Sequence, residues 1–93
     1  MNIIWTGQAR HTYDSTIAYL LEEWTVKAAQ NFIDSVDEME EQLKDFPNSF
    51  PISDKKQYLR KAVLGKHNSL VYQIDGDDIV FVTFIGNKQD HEY

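Results

Sequence analysis

The chain has 93 residues, of which 42% are hydrophobic, and it contains two tryptophans, five tyrosines and five phenylalanines. This length and composition predict one packed domain over residues 1–93 and exclude a disordered chain. The absence of cysteine excludes a disulfide framework and a thiolate zinc site. Because the N-terminus lacks a basic segment and a long apolar run, we expect no signal peptide, no membrane span and a cytoplasmic protein.

The formal net charge of −6 argues against general affinity for nucleic acid or for anionic membranes. The charge is unevenly distributed, because residues 1–54 contain ten acidic and three basic residues, whereas residues 55–74 contain bases and no acid. Two interpretations of the basic segment stay open. It is either ordinary solvated charge or one face that meets an anion.

The first half of the chain predicts a short strand and two helices. An apolar run at residues 2–5 indicates the strand, and Thr6 has the side chain of a helix N-cap. Two apolar stripes with spacings of three and four follow: Ala9, Tyr13, Ile17, Leu20 and Trp24, and then, after Thr25, Ala29, Phe32, Val36, Met39, Leu43 and Phe46. The short junction between them predicts an antiparallel helical hairpin. Since periodicity alone explains them, we expect Trp5, Trp24 and Phe32 in the core.

The second half of the chain predicts strands. Two prolines within residues 46–51 end the second helix and begin a loop, and a mixed strand is predicted at residues 58–64. The β-branched and aromatic runs at 70–74 and 79–85 flank Asp75-Gly76-Asp77-Asp78 and predict a β-hairpin. The second run is apolar at nearly every position, so we expect it at the centre of the sheet with both faces covered.

The predicted fold class is therefore α+β. An N-terminal strand precedes an antiparallel two-helix hairpin, which is followed by a three-stranded antiparallel meander, with the helices packed on one side of a twisted sheet. Acidic residues between the apolar positions of the second helix are expected to form its outer face: Asp34, Asp37, Glu38, Glu40 and Glu41.

The sequence predicts no metal site and no cofactor. His11 and His91 are far apart along the chain, and no pair of acidic residues has ligand spacing with them. The aspartates at 75, 77 and 78 lack the twelve-residue pattern and the distal glutamate of a calcium loop, so we interpret them as turn residues.

Short segments in a fixed order cover nearly the whole chain: Trp5–Ala9, Tyr19-Leu20, Ala28–Phe32, Phe46–Pro51, Leu59–Val63, Gly65–Tyr72 and Asn87–Asp90. In their joint order and spacing they resemble the RelE/ParE superfamily of type II toxin–antitoxin toxins, also called plasmid stabilisation proteins. Within that superfamily the chain is more similar to ParE-like members. The resemblance implies a single small toxin domain over residues 1–93 that is held inactive by a cognate antitoxin.

Two activities are known within this superfamily. RelE-like members are metal-independent endoribonucleases that cut mRNA at the ribosome, whereas ParE-like members inhibit growth by acting on DNA gyrase without nuclease residues. Attack of a ribose 2′-hydroxyl on phosphorus needs a base, an acid and fixed cations for the developing charge. RelE-like enzymes supply these groups as lysines and arginines along the sheet and a tyrosine near the C-terminus.

Arg60, His67 and Lys88 are the candidate catalytic residues if the chain is RelE-like. The resemblance places Arg60 on the strand that carries basic residues in RelE-like enzymes, and Lys88 at the basic position after the last strand. His67 has an imidazole suited to proton transfer near neutral pH. The alternative role for His67 is structural, as a turn residue whose ring hydrogen-bonds a neighbouring carbonyl.

Other positions depart from the RelE-like pattern. Ser69 stands where the resemblance implies a basic residue, and Lys88 cannot form the two-pronged contact that arginine makes with phosphate. Tyr93 falls near the position of the catalytic tyrosine, but we expect a terminal residue to be mobile. These departures argue against mRNA cleavage.

The resemblance thus predicts a ParE-like toxin with a cognate antitoxin as its partner and DNA gyrase as its target. The alternative is a RelE-like endonuclease with the ribosome and mRNA as partners. A third hypothesis is a protein with the toxin fold but without activity. No membrane partner is predicted.

Overall fold

The computed structural model describes residues 1–88 and 93, which form two helices and a four-stranded sheet. The elements are β1 Asn2–Trp5, α1 Gly7–Glu23, α2 Val26–Asp45, β2 Arg60–Val63, β3 Asn68–Asp75 and β4 Asp78–Gly86. The strand order is β1-β4-β3-β2, in which β1 pairs in parallel with β4 and the other pairs are antiparallel. The predicted α+β class, the helical hairpin and the meander are confirmed. Within the described residues, neither helix has the apolar stretch needed to cross a membrane.

Both helices begin at the threonines that the sequence indicates. The Thr6 hydroxyl accepts a hydrogen bond from the Ala9 amide at 3.0 Å, and the Thr25 hydroxyl accepts one from the Ala28 amide at 3.0 Å. Each bond satisfies one of the free amides in the first turn of a helix. The 24–25 junction is therefore long enough to end α1 and to cap α2.

The core lies between the helices and one face of the sheet. Val36 of α2 is 1% exposed and Phe81 of β4 is 0% exposed, as the sequence predicts for both. The Trp5 ring packs at the end of β1, with its centroid 5.0 Å from that of Tyr13 and 5.2 Å from that of Phe81. Such aromatic contacts add to the stabilisation that burial gives.

Strand β4 lies inside the sheet, between β1 and β3, as its sequence predicts. A register shift places Val71 opposite Thr83 and Tyr72 opposite Phe81, so Val82 is an extra residue in β4. This bulge lets Phe81 and Phe84 both enter the core although they are three residues apart. The expected coverage of both faces is only partial, because the helices pack on one side and leave Val80, Val82 and Ile85 half-buried.

Threonines of α1 cover the edge of β4 beyond the short strand β1. The Thr6 hydroxyl lies 2.9 Å from the Phe81 carbonyl oxygen and 3.0 Å from that of Val82. Further along, the Phe84 amide donates to the Thr12 hydroxyl at 2.9 Å. Side chains thus replace the backbone partners that β1 would otherwise provide.

Two predicted core aromatics lie on the surface. Trp24 is 57% exposed, because α1 ends at Glu23 and Trp24 sits at the hairpin junction. Phe46 is 64% exposed, because α2 ends one residue before it. In each case the apolar periodicity continues for one residue beyond the end of the helix, so the last residue of the stripe is not buried.

The β-hairpin reverses at Gly76, whose φ of 60° suits the first central residue of a type II′ turn.

Candidate functional site

A groove of about 440 Å³ lies between α1 and the C-terminal end of β4. Leu20 and Phe84 supply apolar surface, and Tyr19, which is 56% exposed, stands on its helical side. Thr12, Ser15, Thr16, Asn68, His67 and Lys88 supply its polar groups. The volume of this groove lies within the range of small-molecule sites.

A second groove of about 360 Å³ continues under the tip of the helical hairpin, between α2 and the β2–β3 turn. The two grooves share Leu20, Trp24, His67 and Asn68. The rings of Trp24 and His67 are in contact, with centroids 5.5 Å apart and planes at 48°. This pair joins the helical hairpin to the sheet at the boundary between the two grooves. We call the two grooves and this pair the hairpin groove.

The end of β4 holds His67 and Lys88 in one place. The Asn87 amide donates to the His67 carbonyl at 2.8 Å, and the Asn87 side chain donates to the carbonyls of Gly65 and Lys66 at 3.1 and 3.2 Å. The β2–β3 turn is thereby tied to the residue that precedes Lys88. Two of the three candidate catalytic residues consequently line the same groove.

Arg60 lies elsewhere and is engaged by the loop after α2. Its Nη1 donates to the Phe50 carbonyl at 2.7 Å and lies 3.4 Å from the Asn48 carbonyl oxygen. Arg60 pairs with Tyr72, four residues along β3 from Asn68, which corresponds to about 13 Å along the strand. The structure therefore does not bring Arg60 together with His67 and Lys88.

Tyr72 completes the anchor of this loop. Its hydroxyl donates to the Pro47 carbonyl at 2.7 Å, and burial raises the pKa of Tyr72 to about 12. A phenol with a raised pKa keeps its proton at neutral pH and stays a hydrogen-bond donor. Arg60 and Tyr72 thus hold residues 47–50 against the sheet, which is a structural role.

A third groove, of about 480 Å³, crosses the helix-free face of the sheet and includes Lys61, Ser69 and Tyr93. Ser69 is buried and donates to the side-chain oxygen of Asn87, so its hydroxyl is already paired. The Tyr93 carbonyl accepts a hydrogen bond from the Ser53 hydroxyl at 3.0 Å, and Lys56 Nζ lies 5.3 Å from the Tyr93 ring centroid. The terminal residue therefore contacts the loop in this structure, and the mobility expected of Tyr93 stays a prediction.

Trp24 is the site residue for which the sequence pattern predicted the wrong environment. Its position in the apolar stripe of α1 indicated the core, and only its place next to Thr25, a helix cap, signals a helix end. No group of three or more histidine or acidic side chains suited to a metal ion occurs in residues 1–88 and 93. His11 is exposed on α1, and His91 lies outside the described residues.

Comparisons with known proteins address the fold and the family. The structure is similar to the chromosomal ParDE TA system from P. aeruginosa, with a TM-score of 0.78 and 16% identity over 92% of this chain and 95% of that one. It is also similar to the YoeB/ParE toxin from Agrobacterium tumefaciens, with a TM-score of 0.70 and 11% identity over 94% of this chain and 99% of that one.

A third similar structure belongs to the heterotetrameric YoeB-YefM toxin-antitoxin complex from Staphylococcus aureus, with a TM-score of 0.61 and 16% identity over 89% of this chain and 92% of that one. At these sequence identities, the similarity shows only that the folds are alike.

No match was found among the curated proteins. Residues 3–91 match the family described as the ParE toxin of the type II toxin-antitoxin system, parDE. The chain therefore belongs to the ParE toxin family of type II toxin–antitoxin systems.

Proposed function

We propose that this toxin inhibits growth in the ParE manner, by contact with DNA gyrase, and that a cognate antitoxin neutralises it. The position of Arg60 is the observation that carries this proposal. Its guanidinium is bound to loop carbonyls, and its pairing partner Tyr72 lies about 13 Å along β3 from Asn68, which lines the groove of His67 and Lys88. Cleavage of mRNA requires the cations and the proton carrier to surround one phosphate.

The charge of the chain supports the same proposal. With a net charge of −6, the protein gains no general attraction to the polyanionic ribosome. Ser69, at the position where the RelE-like pattern has a base, is uncharged, buried and hydrogen-bonded to Asn87. Neither feature hinders a protein–protein contact, because a partner surface needs complementary shape and charge rather than a phosphate clamp.

RelE-like cleavage is the second candidate, and one observation favours it. His67 and Lys88 line the same groove, where an imidazole and an ammonium group would face a common substrate. In that case Lys88 would stabilise the charge on the phosphorane, and His67 would move the proton. Arg60 would then have no part in the chemistry.

We infer the antitoxin partner from the family and from the surfaces that the toxin leaves open. The similar Staphylococcus aureus structure contains YoeB with YefM. Here β1 and β2 are the outer strands of the sheet. Residues 51–53 already pair with the outer edge of β2 at Arg60 and Lys61, whereas Val63 at the other end of β2 is 62% exposed. An extended antitoxin segment that adds to a sheet edge, or a helical one that packs on the apolar surface of α1, would cover these regions.

The outer surface of α2 indicates the charge of the antitoxin segment that contacts it. Asp34, Asp37, Glu38 and Glu41 are exposed along this helix. We expect lysine or arginine in the antitoxin segment that packs there, because opposite charges favour the encounter. An acidic antitoxin segment along residues 34–41 in an isolated complex would contradict this expectation.

Two assays with purified protein test the proposed target. In the first, gyrase and relaxed plasmid are incubated with the toxin, and supercoiling and plasmid cleavage are scored on gels. In the second, translating ribosomes are incubated with the toxin, and mRNA ends are mapped. We expect loss of supercoiling, with plasmid breaks that require gyrase, and intact mRNA.

Variants sharpen the distinction between the two candidates. Lys88→Ala should leave the fold intact, since Lys88 is exposed, and Lys44→Ala on α2 is a matched control for loss of one exposed lysine. Site-specific mRNA cuts that disappear in Lys88→Ala and persist in Lys44→Ala would replace the gyrase proposal with the RelE-like one. His67→Ala would then test the proton carrier.

A further inference from the structure

We propose that the hairpin groove binds a small anionic ligand with a planar ring, of the chemical class of a nucleoside monophosphate. This site goes beyond the proposed action on gyrase, and its test does not depend on the cellular target. Three properties of the groove carry the inference: an exposed aromatic surface, described lining residues that include a lysine and a histidine but no carboxylate, and a volume suited to a small molecule.

Trp24 provides the aromatic surface. It is 57% exposed although its ring contacts His67, so much of the indole remains available for a second contact. Tyr19, at 56% exposed, lines the same groove from α1. A planar base stacks on such rings and typically loses about ten-fold or more in affinity when the platform residue is removed.

The lining selects for negative charge. Lys66 lines the groove under the helical hairpin, Lys88 lines the groove between α1 and β4, and His67 lines both. Among the described residues that line either groove none is acidic, in a protein whose net charge is −6. In the part of the chain that the structure describes, neither Lys66 nor Lys88 forms an ion pair. A phosphate held in the groove between α1 and β4 would meet the ammonium group of Lys88 and the imidazole of His67, with no carboxylate among the described residues that line it.

The size and the remaining polar groups fit a mononucleotide. The groove between α1 and β4, at about 440 Å³, lies within the range of small-molecule sites. Leu20 and Phe84 offer apolar contact to a base, and Ser15 and Asn68 offer hydrogen bonds to its edge or to a ribose. The arrangement therefore places the base against Trp24 and the phosphate toward Lys88.

Titration of AMP into the purified 93-residue chain tests this proposal, with heat and tryptophan fluorescence as readouts. We expect saturable binding with one AMP per chain. Adenosine and inorganic phosphate should each bind about ten-fold more weakly than AMP or worse, since each offers only half of the contacts. Trp24→Ala should weaken AMP binding about ten-fold, whereas Trp24→Phe should retain most of it.

Charge variants and matched controls complete the experiment. Lys88→Gln should weaken AMP binding by about three- to ten-fold and should reduce its dependence on salt. Tyr58→Ala removes an aromatic residue that is 63% exposed outside the groove, and Lys44→Gln removes a lysine on α2. Both controls should bind AMP like the parent chain.

Three outcomes would overturn the proposal. One is the absence of saturable AMP binding up to about 5 mM, where even a weak site is half-filled. Another is binding that Trp24→Ala leaves unchanged or that Tyr58→Ala weakens equally. The third is binding of a short single-stranded oligonucleotide more than about ten-fold tighter than AMP, because the groove would then recognise a strand rather than a free nucleotide.

Discussion

Both helices carry an apolar stripe at spacings of three and four, but only α2 is strongly amphipathic, and the two helices have different roles in the structure. In α2 the residues of the predicted stripe are buried as far as Leu43, which is 0% exposed. In α1 only Ala9 is buried, while Tyr13, Ile17 and Leu20 are half-buried and Tyr19 and Leu21 are exposed.

This difference separates the contribution to stability from the contribution to binding. Helix α2 covers the sheet and presents acidic groups to solvent, as an amphipathic surface helix does. Helix α1 lies along the edge of β4, where Thr6 and Thr12 satisfy backbone groups, and its C-terminal half faces a groove instead of a filled core. We therefore assign stability mainly to α2 and the lining of the groove mainly to α1.

Matched leucine truncations give the largest expected effect and test this division directly. Leu43→Ala in α2 should lower the free energy of unfolding by about 2–5 kcal/mol, because it removes a fully buried side chain and leaves a cavity. Leu21→Ala in α1, which is 50% exposed, should lower it by less than about 0.5 kcal/mol. Urea denaturation followed by circular dichroism measures both, and equal losses would remove the distinction between the helices.

Helix-cap substitutions should lower the free energy of unfolding by smaller amounts. Here the substitution at the start of α1 should cost more than the one at the start of α2. Thr25→Ala at the start of α2 should cost about 1 kcal/mol, because it removes one side-chain bond to an exposed turn. Thr6→Ala at the start of α1 should cost nearer about 2 kcal/mol, because the Thr6 hydroxyl also contacts the edge of β4. Hydrogen exchange at the Ala9 amide, which donates to the Thr6 hydroxyl, should rise in Thr6→Ala and not in Thr25→Ala.

The smallest expected effect concerns Glu40, where the acidic face of α2 turns toward Trp5. Burial, followed by repulsion from Asp37, raises the pKa of the Glu40 carboxyl above its ordinary value of 4.5. A carboxyl with a raised pKa in the folded state favours unfolding at neutral pH, and this penalty disappears as the pH falls through the folded pKa toward the unfolded one.

Glu40→Gln should therefore raise the thermal midpoint slightly at pH 7 and leave it unchanged near pH 4. Glu38→Gln is the matched control, because Glu38 is exposed on the same helix. Thermal melts of the three proteins at both pH values measure the difference. A Glu40→Gln variant that is less stable than Glu38→Gln at pH 7 would show that the hydrogen bond with Trp5 outweighs the burial of the charge.

The sequence predicted the fold more fully than the site, because the signals for the fold lie close together along the chain whereas the residues of the site are far apart in sequence. Caps at Thr6 and Thr25, the stripe of α2 and the turn at Gly76 depend on residues within one or two turns of each other, and these local signals were correct. The predicted strand at residues 58–64 was longer than the observed β2, Arg60–Val63, because pairing with β3 rather than local propensity sets its ends.

The candidate site combined residues that sequence analysis cannot place relative to one another. His67 and Lys88 are 21 positions apart and meet because Asn87 binds the β2–β3 turn. Arg60 is nearer to His67 in sequence and yet points to the loop after α2, since the strand carries it away from the turn. The pairing of Trp24 with His67 depends on where α1 ends, which apolar periodicity did not show.

The sequence by itself determined the element order, the α+β class, the acidic outer face of α2 and the family, because composition, periodicity and short motifs are properties of the chain. Only the tertiary structure decided that β1 pairs in parallel with β4, that a bulge at Val82 turns two phenylalanines into the core, and that Arg60 is separated from His67 and Lys88. Those outcomes follow from strand register and from the exact partner of each backbone group, which are set by contacts between residues distant in sequence.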